Sequence, residues 1–88
     1  MILALLLQVA APEPTVADIV VTARKRKCDV SIANRIISDK EFRARASEWA
    51  AGTVVRVHAP EATSYSCLAK IMFRLNDYGV TKAEFVDP

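Results

Sequence analysis

At 88 residues the chain holds one domain at most, which excludes a multidomain enzyme. One histidine and two distant cysteines do not suggest a zinc site, and two glycines leave no Gly-rich phosphate loop. The net charge is only +2, and the basic excess sits in one run, Arg24-Lys25-Arg26-Lys27.

Residues 1–11, MILALLLQVAA, are nearly all apolar. A membrane-spanning helix needs about 20 such residues, so this length fits the apolar core of a secretory signal, with Val9 and Ala11 as the small residues before a cut. The segment carries no Lys or Arg, and the other reading is a short apolar tail. Residues 12–27 follow as an extended linker, because Pro12 and Pro14 disfavour a helix. The basic run at its end reads as a solvated charge cluster. Without interleaved aromatics it is a thin footprint for nucleic acid.

The folded domain is expected over 28–88. A domain that small is marginally stable without a staple. Cys28 and Cys67 can supply one in an exported protein, and closing a loop of roughly 40 residues contributes about 3–4 kcal/mol. In a cytosolic protein the same pair would be free thiols.

Val30 and Ile32 alternate with Asp29 and Ser31, the period of a strand. Arg35–Ile37 return as a second strand, with Ala33 and Asn34 at the hairpin tip. Ser38 and Glu41 have capping-box spacing and predict a helix from about Asp39 to Ala51, with Phe42, Ala46, Trp49 and Ala50 on its apolar stripe and Gly52 ending it. Residues 53–59 predict a strand with Val55 and Val57 on one face and Val54, Arg56 and His58 on the other; Pro60 stops it. Thr63 or Ser64 caps a second helix reaching Tyr78, with Leu68, Ile71, Met72 and Leu75 as its buried stripe. After Gly79, Val80–Val86 is the last strand, with Thr81, Ala83 and Phe85 on one face. Strand, helix and strand within 53–86 form a βαβ unit with parallel strands and a right-handed crossover. The expected fold is α/β (α+β), a small mixed sheet with two helices on one face, in the order β-β-α-β-α-β.

The chemistry in the sequence is sparse. A Cys67–His58 pair would imitate a nucleophile and its base, and Tyr65, His58 and Arg56 form the best polar cluster for a small enzyme. No complete catalytic set is present, so no enzyme, cofactor or metal site is expected.

The segment TVVRVHAPEATSYSCLAKIMFRLNDYGVTKAEFVDP resembles the periplasmic domain of the ExbD/TolR family of biopolymer-transport proteins. The matching positions are Val54–Val57, Tyr65, Ile71-Met72 and Gly79-Val80-Thr81-Lys82, and the likeness extends over 28–88. It implies a mixed-sheet α/β fold and a periplasmic location. The family's transmembrane helix, with its proton-coupling Asp, has no counterpart in the short apolar leader, and Ser64 and Ser66 replace the family's Pro and Gly beside Tyr65. The resemblance therefore carries the domain and not the motor.

A second resemblance lies in DIVVTARKR. Asp18, Ile19, Val20, Val21, Thr22 and Ala23 are similar to the TonB box of outer-membrane receptors, an extended peptide that adds as a strand to the TonB C-terminal domain. It implies a soluble periplasmic accessory protein of a TonB-ExbD or Tol-type system, docking through these six residues on TonB or a related envelope protein, with homodimerisation possible. The alternative is a stand-alone periplasmic scaffold or binding domain in which the same stretch is an edge strand of the chain's own sheet.

Overall fold

A computed structural model describes residues 15–61 and 64–86. The leader expected over 1–11 lies outside the described residues.

Among the described residues seven elements follow one another: β1 (Val16–Arg24), β2 (Lys27–Ile32), β3 (Arg35–Ile37), α1 (Asp39–Trp49), β4 (Val54–His58), α2 (Tyr65–Asp77) and β5 (Ala83–Val86). The strands form one five-stranded sheet in the order β3-β2-β1-β4-β5. β1, β2 and β3 are an antiparallel meander, whereas β4 lies parallel to β1, and β5 parallel to β4. The fold class is the one expected from the sequence, and the last three elements are the expected βαβ unit.

Two parts of the expectation need correction. The order is β-β-β-α-β-α-β, with one more strand than expected, and that strand lies in the segment read as a linker. The folded domain therefore includes Val16–Lys27 and does not start at Cys28.

Side-chain alternation divides the sheet into two faces. Ile19, Val21, Val30, Ile37, Val55 and Val57 are buried on one face together with Phe42 and Ala46 of α1 and Cys67, Ile71 and Leu75 of α2. Both helices therefore cover that face. On it, Phe42 meets Tyr78 edge-to-face, with ring centroids 5.8 Å apart. The opposite face carries Asp18, Val20, Thr22, Ser31, Arg56 and His58, which are exposed or half-buried.

The local signals largely hold. The Ser38 Oγ accepts from the Glu41 N–H at 3.1 Å and caps α1. The second half of the expected box does not form, because the Glu41 carboxylate is taken by Arg35 and Arg45 at 2.9 and 3.2 Å. Ala33 and Asn34 make the β2–β3 turn with φ of 52° and 64°, and Lys25 and Arg26 make the β1–β2 turn with φ of 45° and 68°. Such two-residue turns match the twist of a hairpin.

Candidate functional site

The six residues read as a docking peptide form the middle of the sheet. β1 pairs with β2 from Val20 to Arg24 and with β4 from Val16 to Val20. Ile19 and Val21 are 0% exposed, Asp18 is exposed, and Val20, Thr22 and Ala23 are half-buried. Beyond the end of β4, the Ala23 N–H donates to Ser64 Oγ at 3.1 Å, so this part of the strand is also held. A peptide can extend another protein's sheet only through unpaired backbone groups. Releasing this one would dismantle the core, so Asp18, Ile19, Val20, Val21, Thr22 and Ala23 do not form a displayed strand. Nor is β1 an edge strand, since it has a neighbour on each side.

Cys28 and Cys67 form the expected disulfide, which ties β2 to the first turn of α2. Its bond removes Cys67 from any pairing with His58. The polar cluster of Tyr65, His58 and Arg56 is also divided. His58 Nε2 and Arg56 Nε lie 2.9 and 3.7 Å from Asp18 Oδ1 on the open face. Tyr65 packs edge-to-face on Phe85, with centroids 5.9 Å apart, and Phe85 is in register with Val57 on the helical face. The sheet stands between them. Among the described residues no group of His, Cys, Asp and Glu is arranged to hold a metal ion, and no helix is long and apolar enough to cross a membrane.

What the fold does present is the edge formed by β5. The Val55 N–H donates to the Lys82 carbonyl at 2.8 Å, which in a parallel ladder directs Lys82 and Glu84 backbone groups toward β4. The N–H and C=O of Ala83 and Phe85 then point away from β4, along the side of the sheet that pairs with no other strand among the described residues. Above this edge, α2 exposes apolar surface. Phe73 is 71% exposed, Tyr65 and Phe85 are also exposed, and Ala69, Met72, Phe73 and Asn76 line an open cavity of about 350 Å³. An apolar shoulder beside a free strand edge is the usual composition of an interaction surface.

Sequence reasoning missed this surface. Its signal was present: Tyr65, Ala69, Met72 and Phe73 recur at helical spacing beside the buried stripe, so α2 is apolar over much more than one face.

No protein-family model matches the chain, and the searches of curated proteins and of solved structures each found no match.

Proposed function

We propose that this protein is a non-enzymatic scaffold domain of an oxidising compartment, the periplasm, and that it assembles with a second copy of itself through β5. The disulfide favours the compartment, because such bonds persist outside the reducing cytosol. The resemblance to ExbD/TolR favours the cell envelope and an accessory role beside TonB-ExbD or Tol-type transport, and its matched positions fall in β4, α2 and the turn before β5. The role does not include docking through residues 18–23.

The observation that carries the self-assembly is the complementarity of the β5 edge to itself. In an antiparallel pair of β5 strands, the outward-pointing residues must face one another. Placing Ala83 opposite Ala83 of the second copy meets that condition. It also sets Lys82 opposite Glu84 of the second copy, twice, by symmetry. A twofold contact uses the same patch on both subunits, as this one does. The short strand predicts a weak, reversible dimer.

Sedimentation velocity on the oxidised protein tests the proposal. Opposite charges across strands contribute about 0.2–1 kcal/mol per pair, and like charges oppose pairing by similar amounts. K82E or E84K alone should therefore weaken the dimer by roughly tenfold to a hundredfold. The double substitution K82E/E84K should restore it. Mixing the two single variants should also restore it, as a heterodimer with two opposite-charge pairs, one of them reversed. A wild-type protein that remains monomeric at millimolar concentration, or a dimer indifferent to these exchanges, refutes the assembly.

A further inference from the structure

On the other side of the sheet from β5, a cleft of about 490 Å³ opens between β2, the start of α1 and α2. We propose that it binds a phosphate group, carried by a small phosphorylated molecule or by a lipid headgroup.

The walls supply three cations from two separate parts of the chain: Arg26 at the β1–β2 turn, and Lys70 and Arg74 one helical turn apart on α2. Two of the lining residues carry carboxylates, each beside an arginine, although Asp29 Oδ2 makes no hydrogen bond. Asp29 lies 3.0 Å from Arg24, and Asp39 lies 3.3 Å from Arg74. Among the described residues Arg26 and Lys70 take part in no ion pair, so the cleft holds an excess of positive charge. A phosphate offers several acceptor oxygens and up to two negative charges, which suits two unpaired cations better than a single carboxylate does.

The third wall adds donors. Ser38 and Asp39, at the N-terminus of the 11-residue helix α1, line the cleft. The first N–H groups of a helix lack partners within it and favour an anion. Ser38 Oγ accepts from Glu41, which leaves its own hydrogen free to donate. Asp39 is 85% exposed on its side chain and can leave Arg74 when a ligand arrives.

Two features hold the site in shape. The Cys28–Cys67 disulfide joins the wall formed by the start of β2 to the wall carrying Lys70, with Cα atoms 5.4 Å apart. Ile37 and Ile71, both buried, floor the cleft with apolar surface. The space exceeds what one bare ion fills and falls within the range of small-ligand sites. The β1–β2 turn gives further reason to read its cations as functional. Two left-handed residues in succession favour Asn-Gly, and each ordinary side chain there costs about 1–2 kcal/mol. Ala33 and Asn34 meet the same demand at the other hairpin with small side chains, whereas here Lys25 and Arg26 meet it with two long cations.

Pyrophosphate titrated into the isotope-labelled, oxidised protein at constant ionic strength should shift the amides of Arg26–Asp29 and Ser38–Lys40 saturably. Arg26→Gln and Lys70→Gln should each weaken binding about tenfold, the usual scale for a lost charge-assisted hydrogen bond. Arg43→Gln, on the exposed side of α1, should leave it unchanged. Co-sedimentation with phosphatidylcholine vesicles, with and without phosphatidylglycerol, separates the sources. Binding that needs phosphatidylglycerol and is lost with Lys70→Gln identifies a lipid headgroup; pyrophosphate binding without vesicle binding identifies a free phosphorylated ligand. Shifts that never saturate, or equal affinity in Lys70→Gln, Arg26→Gln and wild type, overturn the site. β5 is far from this cleft in strand order, so a failed dimer and a failed anion site read out separately.

Discussion

Removing the disulfide is the perturbation whose size follows most directly from the structure. Cys28 and Cys67 are 39 residues apart in sequence, and their bond constrains the unfolded chain by closing that loop. The loop-closure relation gives an entropy of about 13 cal/mol/K for roughly 40 residues, or about 4 kcal/mol at 25 °C. A domain of about 70 residues has a total stability of roughly 4–10 kcal/mol. Loss of the bond should therefore consume between two-fifths and all of it. Guanidinium unfolding followed by far-UV circular dichroism on wild type, C28A/C67A and reduced wild type would measure the difference. Because Cys67 is buried, the alanine variant also loses some packing, and the reduced protein isolates the cross-link. Where the reduced protein stays folded, its midpoint should fall, and the melting temperature should drop by roughly 15–30 °C. A loss below about 1 kcal/mol in the reduced protein would refute the reasoning, because it would mean that the unfolded chain already holds β2 near α2.

Other expectations follow from single positions. Ile19→Ala, in the fully buried centre of β1, should cost about 2–5 kcal/mol, and amides of the paired stretch Ile19–Thr22 should exchange only through global unfolding; fast exchange there would mean that β1 detaches. Gly79 has φ of +96°, and a Cβ there would stand 3.2 Å from Ala50 Cβ, so Gly79→Ala should lose about 1–2 kcal/mol in a denaturation midpoint. The Arg35 hydrogen bond, aided by Arg45, holds the Glu41 carboxyl below the ordinary glutamate value. Its folded-state pKa is depressed, so its contribution is present above the unfolded pKa and lost as pH falls through the folded one. Glu41→Gln should flatten that acid limb of a stability–pH curve and leave the cap at Ser38 in place.

The sequence was readable wherever a residue's partners are close in the chain or one face is wet. Val30 and Ile32 alternate because β2 has one covered and one open face, and Ser38 caps a helix three residues away. β1 was harder. A central strand with β-branched residues on both faces reads as a continuous run, Ile19–Thr22, with no alternation to distinguish it from an extended peptide. The flanking prolines and basic run then favoured a linker. Ser64 has the residue type of a cap, yet its hydroxyl serves Ala23, 41 residues earlier, which no local pattern announces. The cleft was equally hidden. Arg26 was visible as part of a charge run, but Lys70 and Arg74 join it only through the crossover of α2 over the sheet.

The position of β1 also sets the order in which the fold can be completed. Among the described residues the first strand to be synthesised is the central one, and its stretch Val16–Val20 waits for Val54–His58 before it is paired. β2 and β3 can zip onto β1 as local hairpins, a fast process, while the parallel pairing with β4 needs a long loop to close first. A nascent chain thus passes through a half-sheet with one side of β1 bare. A fragment beginning at Cys28 would keep both flanks, β3-β2 and β4-β5, and lose the strand that joins them. For this topology the amino-terminal end is the keystone of the architecture, and a truncation there should disable folding as surely as one through the core helices.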